Sequence, residues 1–108
     1  MSHILHITTS AALEAGRANG AYTAPSLEDE GFIHCSTDKQ VADTANRYYA
    51  GQSDLILLHI DTNLLSADVK WEPSNGILFP HIYGPVDLDA IIEVEPFEPG
   101  DDGLFVYS

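Results

Sequence analysis

The chain has 108 residues, of which 44% are hydrophobic and 19% are charged, an ordinary balance for a globular protein. Its 4 Lys and Arg residues are outnumbered by 17 Asp and Glu residues, which gives a formal net charge of −13 at pH 7. Because nucleic-acid and anionic-membrane binders rely on Lys and Arg, this charge argues against a nucleic-acid duplex and a membrane surface as partners. The apolar runs are also far too short to span a bilayer.

A chain of this length buries one hydrophobic core, so we expect a single domain over residues 1–108. The N-terminus has neither the basic segment nor the long apolar segment of a signal peptide. The single cysteine, Cys35, cannot form an internal disulfide, and we expect it to be a small buried hydrophobe rather than a nucleophile. These features favour a cytoplasmic protein.

Hydrophobic periodicity and helix-capping residues divide the first half of the chain into short elements. In chain order we expect a strand at 3–8, a helix at 11–19 capped by Thr9 or Ser10, an acidic turn capped by Ser26, and a strand at 32–35. A second helix is expected after a capping box at Thr37 and Gln40 and should end at Gly51. Its spacing places four residues on one helical face: Val41, Ala45, Tyr48 and Tyr49.

Strands dominate the second half of the chain. We expect a central strand at 55–60, a strand at 68–72, a turn at 74–76, and two further strands at 77–83 and 90–95. The tail at 96–108 should be an edge strand or a loosely held terminus. Early helices followed by strands predict an α+β domain with a small mixed, strongly twisted or split sheet.

Three of the five histidines precede a hydroxyl side chain by two positions, and these pairs lie in expected strands. They are His6 with Thr8, His34 with Ser36, and His81 with Tyr83. Residues two apart share one face of a strand, so we expect the three imidazoles to open onto one polar cavity, with Leu5, Ile7, Ile33 and Cys35 buried behind them. The alternative is that each imidazole is a hydrogen-bonded part of the scaffold. We expect that for His59, with Asp61 as its partner.

Four other residues are candidates for the same cavity: Tyr22, Ser26, Glu72 and Tyr83. Glu72 ends an expected strand, where its carboxylate can enter a pocket. The segment FPHIYGP, residues 79–85, holds His81 and Tyr83 between two prolines, and rigid irregular backbone that carries polar aromatic residues is typical of a binding site.

Four segments carry a resemblance to a known family. GFIHCS at 31–36, FPHIYGP at 79–85, LHITT at 5–9 and AYTAPSLEDEGF at 21–32 are together similar to domain of unknown function family 952, over residues 5–95. The first helix here lacks the Trp that members of the family often have. The family resemblance implies a fold and carries no established activity.

LHITT followed by a helix also resembles the first motif of ADP-ribosyltransferase-like folds. That resemblance implies that His6 and Thr8 hold the ribose of NAD or ADP-ribose, that His34 or Tyr22 lines the nicotinamide side, and that Glu72 or His81 is catalytic. From the residues and this resemblance together we predict a small-molecule site with catalytic residues His34, Glu72 and His81 and ligand-binding residues His6, Thr8, Tyr22, Ser26, Ser36 and Tyr83.

Three alternatives stay open. The two-histidine phosphoesterases carry paired His-x-Thr/Ser motifs, which His6-Ile-Thr8 and His34-Cys-Ser36 resemble, and their histidines act as general base and general acid. A zinc centre of His6, His34 and His81 is less favoured, and we expect the protein to fold without bound zinc and to have no metal site. A non-enzymatic module that binds a small molecule is the third alternative.

Overall fold

The N-terminal strand β1, His3–Thr9, pairs antiparallel with β4, Leu55–Asp61, in the computed structural model, which describes residues 3–107. Strand β8, Ile91–Pro96, pairs with the other edge of β4. Residues 55–60 are buried throughout, because β4 has a strand on each side and packed side chains on both faces. The central position expected for this apolar strand is confirmed.

A second antiparallel sheet has the strand order β3–β6–β5. Its strands are β3, Ile33–His34, β5, Val69–Ser74, and β6, Ile77–Ile82. Asn75 and Gly76 both have positive φ values, 53° and 80°, which suits the two-residue turn of a tight hairpin between β5 and β6. The turn expected at 74–76 is therefore confirmed, and it places the end of this hairpin at the rim of the cavity described below.

Two short strands, β2, Ala21–Tyr22, and β7, Val86–Asp87, form a third antiparallel pair. Residues Leu5 and Ser36 form an isolated bridge with two backbone hydrogen bonds of 2.8 Å, and this bridge joins the edge of the first sheet to the chain just after β3. The described residues therefore form an α+β fold, as the element order predicts. Their sheets are several and all antiparallel, so the mixed sheet that was expected is not found among them.

Three α-helices accompany these sheets: α1, Ser10–Asn19, α2, Pro25–Glu30, and α3, Val41–Tyr48. Thr9 caps α1 by accepting a hydrogen bond from the N–H of Ala12, and Gly20 ends the helix with φ 88°. Both ends agree with the sequence prediction. Two short 3₁₀ turns, Thr62–Leu64 and Leu88–Ala90, follow β4 and β7.

The other two helices differ from the expectation at their starts. Helix α2 begins at Pro25 after an extended Ala24, so Ser26 lies inside the helix and does not cap it; a proline is favoured at the first helical position because it needs no N–H partner there. Before α3, Gln40 accepts the N–H of Thr37 at 3.0 Å, which is one half of the expected capping box.

Helix α3 buries Val41 and Ala45 as expected, whereas Tyr48 is 65% exposed and Tyr49 only partly buried. Tyr48 therefore does not share the buried face of Val41 and Ala45 as expected, because its side chain lies over a cavity rather than the core. Asn46, on the same helix, donates its side-chain amide to the carbonyl of Phe105 and accepts the N–H of Phe105. The tail after β8 is thus neither an edge strand nor loosely held, since Phe97 and Phe105 are also buried.

The core lies on both faces of the β1–β4–β8 sheet. One cluster packs Ile4, Leu58 and Ile60 against α1, Tyr22, Ile33 and Ile82, and the other packs Leu5, Ile7 and Leu57 against α3 and the tail. No helix within residues 3–107 has the length and apolar character needed to cross a membrane.

Candidate functional site

A cavity of about 530 Å³ lies beside the face of the β3–β6–β5 sheet that is turned away from the core. This volume is in the range of about 300–1,000 Å³ that is usual for small-molecule sites. Helix α3 and the end of the β5–β6 hairpin form its other walls. Its polar and aromatic lining includes Phe32, His34, Ser36, Arg47, Phe79 and His81.

The strand register brings two of the predicted histidines side by side. His34 on β3 is directly opposite His81 on β6, and their rings meet edge to face with centroids 5.3 Å apart. Directly opposite residues of an antiparallel pair lie on the same face of the sheet, so both rings reach the same wall of the cavity. Two of the three histidines expected to share one cavity, His34 and His81, therefore line this one.

His81 is held in one orientation by a carboxylate and an aromatic ring. Its Nδ1 lies 2.8 Å from Oε1 of Glu72, and its ring stacks on Phe32 with centroids 4.1 Å apart and an interplanar angle of 14°. An ionised carboxylate only accepts hydrogen bonds, so Nδ1 carries the proton and Nε2 of the neutral ring keeps its lone pair. Within residues 3–107, no side chain or carbonyl makes a hydrogen bond with Nε2, which leaves this nitrogen free to accept a proton.

Glu72 has a second donor on the same oxygen. The hydroxyl of Tyr83 donates to Oε1 at 2.5 Å, and the ammonium of Lys70 lies 4.6 Å from the centre of the Tyr83 ring. Hydrogen bonds from Tyr83 and from His81 lower the pKa of Glu72, and the bond to the carboxylate raises the pKa of Tyr83. Glu72 is therefore ionised and Tyr83 neutral at neutral pH, as the orientation of His81 requires.

His34 has a more open environment than His81. Its side chain is 54% exposed, and its Nε2 lies 3.0 Å from Oε2 of Glu30, the last residue of α2. The edge of its ring contacts Phe32. Both imidazoles of the cavity are thus paired with a carboxylate, one in a sheltered position and one near solvent. This asymmetry suits two histidines with different tasks.

His6 does not share this cavity, and the expectation that it does is wrong. Its ring is 6% exposed, with Nδ1 donating to the carbonyl of His34 at 2.6 Å and Nε2 lying 2.7 Å from the hydroxyl of Tyr22. The same hydroxyl lies 2.9 Å from Oγ1 of Thr8. Burial lowers the pKa of His6 to about 4 and raises that of Tyr22 to about 12, so both are neutral at pH 7.

The bond from His6 to the carbonyl of His34 supports β3 from the core side. Both ring nitrogens of His6 are occupied, so the fold does not bring His6, His34 and His81 together as ligands of one metal ion. His6, Thr8 and Tyr22 form a buried network behind the sheet instead. Ser26 lies on α2 and is not among the residues that line the cavity.

The remaining predicted residues lie in or next to the cavity. Ser36 lines it and is 3.5 Å from the hydroxyl of Thr44. Glu72 bonds to the ring of His81 and Tyr83 bonds to Glu72, and neither of them is among the residues that line the cavity. Of the nine predicted residues, His34, Ser36 and His81 thus line the cavity, Glu72 and Tyr83 are linked to His81 by these hydrogen bonds, and the other four do not line it.

Two other predictions concern Cys35, which lines the cavity, and His59, which does not. Cys35 is 4% exposed and burial raises the pKa of its thiol, in agreement with a structural role. His59 bonds to Glu95 and to His3 and does not bond to Asp61, whose carboxylate accepts the N–H of Asn63. The partner expected for His59 is wrong because Asp61 follows it at the strand end and turns into the next loop.

Sequence reasoning missed the wall of the cavity that α3 provides. Thr44, Arg47 and Tyr48 are spaced as neighbours on one face of that helix and all line the cavity, and Arg47 lies 3.3 Å from Asp43. Their helical spacing is a usable signal. It becomes informative only once α3 is known to lie beside the end of the β5–β6 hairpin.

Comparison with known proteins identifies the family. The model of the family described as "Protein of unknown function (DUF952)" matches residues 7–94. The chain belongs to this family. The site histidines His34 and His81 and their partner Glu72 all lie inside the segment that matches DUF952, and the resemblance noted in the sequence is thereby confirmed.

Solved structures resemble this DUF952 chain over nearly its whole length. The X-ray crystal structure of protein CC0527 from Caulobacter crescentus is 34% identical, with a TM-score of 0.84 over 96% of this chain and 93% of that one. The solution NMR structure of CC0527 is 32% identical, with a TM-score of 0.81 over 96% of this chain and 91% of that one. The comparison with curated proteins found no match. Neither the family description nor these structures names an ADP-ribosyltransferase.

Proposed function

We propose that the cavity is an active site in which His81 and His34 act as general base and general acid in the hydrolysis of a small phosphate ester that carries an aromatic base. The observation that carries this proposal is the arrangement around His81. Its Nδ1 is tied to the ionised Glu72, its Nε2 retains a lone pair, and a second imidazole lies beside it. Two adjacent imidazoles, one of them oriented by a carboxylate, are suited to act as general base and general acid.

The walls of the cavity favour a ligand with one planar ring and one phosphate group. Phe32, Phe79 and Tyr48 offer aromatic surfaces on which a base can pack. Arg47 and the two imidazoles can bind a single phosphate, whereas Glu30 and Asp43 on the same lining repel further negative charge. A 2′,3′-cyclic nucleotide has both features.

The chemistry follows from these positions. One imidazole takes a proton from water, the water oxygen forms a bond to phosphorus, and the bond from phosphorus to one ribose oxygen breaks. The other imidazole, which starts in its protonated form, donates a proton to that leaving oxygen and ends neutral, so the two imidazoles exchange protonation states. This reaction is that of the two-histidine phosphoesterases, performed here by His34 and His81 rather than by His6 and His34.

NAD or ADP-ribose is the second candidate ligand, favoured by the LHITT segment before α1. In that reading His6 and Thr8 hold a ribose hydroxyl, as the resemblance to ADP-ribosyltransferase-like folds implies. The buried bonds from His6 to Tyr22 and to the carbonyl of His34 weigh against it, because a ribose would have to displace one of them. The acidic lining also disfavours a pyrophosphate.

The experiment combines ligand titration with turnover. Amide shifts are followed as 2′,3′-cyclic AMP, NAD and ADP-ribose are added, and opening of the cyclic phosphate is followed by phosphorus NMR. We expect His81→Gln to reduce turnover by about 10²- to 10⁴-fold. Glu72→Gln should reduce it by roughly 10-fold or more by releasing the ring, while the matched change Glu28→Gln, at an exposed acid outside the cavity, leaves it unaltered.

Each other outcome points elsewhere. Shifts of the His34 and His81 amides with NAD or ADP-ribose alone would favour the transferase-like candidate, and binding of the cyclic nucleotide without turnover would indicate a non-enzymatic binding module. If none of the three compounds shifts these amides, or if Glu28→Gln lowers turnover as much as Glu72→Gln, the proposed active site is wrong.

A further inference from the structure

A second group of titratable side chains lies on the β1–β4–β8 sheet, which carries neither His34 nor His81. His59 on β4 and Glu93 and Glu95 on β8 each offer one ligand atom, and these three atoms lie within 4.8 Å of one another. We propose that these residues bind one divalent transition-metal ion, with Zn²⁺ the best fit. This site is independent of the function proposed for the cavity.

The register of the β4–β8 pairing brings these three ligand atoms close to one another. His59 is directly opposite Glu93, and Leu57, two residues before His59, is opposite Glu95. Residues two apart share a face of a strand, and opposite residues share a face of the sheet, so the three side chains project from the same side. The β4–β8 pairing therefore brings them together without help from a loop.

The partners of His59 are those of a metal-binding imidazole. Its ring is 5% exposed, its Nε2 is next to a carboxylate oxygen of Glu95, and its Nδ1 lies 2.9 Å from Nε2 of His3. An imidazole that binds a metal through one nitrogen usually donates the N–H of the other to an acceptor that orients the ring. Without an ion, Nε2 of His59 donates to the Glu95 carboxylate and Nδ1 accepts from His3. When an ion takes the place of the Nε2 proton, His59 carries its proton on Nδ1 and Nε2 of His3 becomes the acceptor.

The carboxylates differ in a way that suits ion entry. Glu95 is partly buried and accepts a hydrogen bond from the Tyr107 hydroxyl at 3.3 Å, which helps to fix its position. Glu93 is exposed, and its carboxylate is free to rotate onto an arriving ion. Tetrahedral coordination with bonds of about 2.1 Å places ligand atoms roughly 3.4 Å apart. The contact between His59 and Glu95 must therefore open slightly to admit the ion, while Glu93 needs to move inward only a little.

The donor set selects the class of ion. One imidazole nitrogen and two carboxylates suit Zn²⁺ or a related transition metal, and three protein ligands leave a fourth position for water. Ca²⁺ and Mg²⁺ prefer oxygen ligands alone and gain nothing from His59. Selectivity for Zn²⁺ over Ca²⁺ is thus the signature that separates this site from general attraction of cations to an acidic protein.

The test is a calorimetric titration of tag-free, chelator-treated protein with Zn²⁺ and with Ca²⁺ at about 0.15 M salt, which screens exposed charges. We expect one Zn²⁺ ion per chain and at least 10-fold weaker binding in Glu93→Gln. Glu98→Gln, the same charge change at an exposed acid just beyond β8, should alter affinity by less than about 2-fold. His3→Ala should weaken binding by roughly 10- to 100-fold through loss of the orienting bond.

Nitrogen NMR of the imidazoles provides a second readout that does not depend on any variant folding, because Zn²⁺ should shift Nε2 of His59 strongly. The proposal is overturned if Glu98→Gln weakens binding as much as Glu93→Gln, or if Ca²⁺ binds as well as Zn²⁺. It is also overturned if no ion binds, or if His34→Gln rather than Glu93→Gln abolishes binding, since that result places the ion in the cavity.

Discussion

His6 should make this protein less stable as the pH falls from 7 to 5. Its imidazole is buried and hydrogen-bonded at both nitrogens, and burial lowers its pKa from 6.5 to about 4. Between these two values the unfolded chain binds a proton on His6 and the folded chain does not. Acid therefore favours the unfolded state, and the stability that His6 contributes is present above pH 6.5 and is lost as the pH falls toward 4.

The size of the effect follows from the two pKa values. At pH 5 the linkage relation gives a loss of about 2 kcal/mol in the free energy of unfolding relative to pH 7. Once His6 is protonated in both states, below pH 4, the loss reaches about 3.4 kcal/mol, since each unit of pKa difference is worth about 1.36 kcal/mol. For a domain of this size, the loss at pH 5 alone is a substantial part of a total stability of roughly 5–15 kcal/mol.

Urea denaturation at pH 7 and pH 5 measures this loss in the parent chain and in His6→Gln. Glutamine keeps hydrogen-bonding groups at the position and does not titrate. All other titrating groups are common to both proteins, so the difference between their pH dependences isolates His6. We expect the parent to lose about 2 kcal/mol more than the variant.

A direct titration of the His6 ring by proton NMR gives the same information in the folded parent, with an expected midpoint near pH 4. The reasoning is refuted if that midpoint lies near 6.5. It is equally refuted if the parent and a folded His6→Gln variant lose the same free energy between pH 7 and pH 5.

Two further predictions concern the packing behind the sheets. Gly16→Ala should destabilise the fold by about 1–3 kcal/mol in the same urea assay, because a Cβ there would lie 2.9 Å from the backbone Cα of Tyr22, which cannot easily shift. An unchanged urea midpoint would contradict the close approach of α1 to β2. Cys35 should react with a thiol reagent only as fast as the protein unfolds, since it is 4% exposed and its thiol pKa is raised, and rapid labelling of the folded protein would contradict its burial.

The alternation of faces along a strand could be predicted from the sequence, but its meaning depends on what covers each face. In β3 the alternation is informative, because Ile33 is fully buried and His34 is exposed toward the cavity. In β1 the same pattern is misleading, because residues 4–7 are buried on both faces of their sheet. His6 therefore lies in the core, although its position relative to Thr8 matches that of His34 relative to Ser36.

The hydrogen bond between Glu72 and His81 could be predicted only in part from the sequence. The sequence marks both residues as candidates and marks the turn between them at Asn75 and Gly76. Their contact requires the hairpin register, in which Glu72 is opposite Phe79 and therefore diagonal to His81. The sequence shows where the chain reverses, and the register of the pairing selects the neighbours.

Local physical chemistry, read from the sequence, determined the features that depend on near neighbours. The Thr9 cap, the Gly20 helix end, the Asn75–Gly76 turn and the apolar strand at 55–60 each follow from backbone preferences or side-chain burial within a few residues. Tertiary structure alone decided that α3 forms a wall of the cavity and that β8 brings Glu93 and Glu95 to His59. These contacts join residues that are far apart in the sequence. Which of them form depends on how the whole chain buries its apolar surface, a balance that no short segment contains.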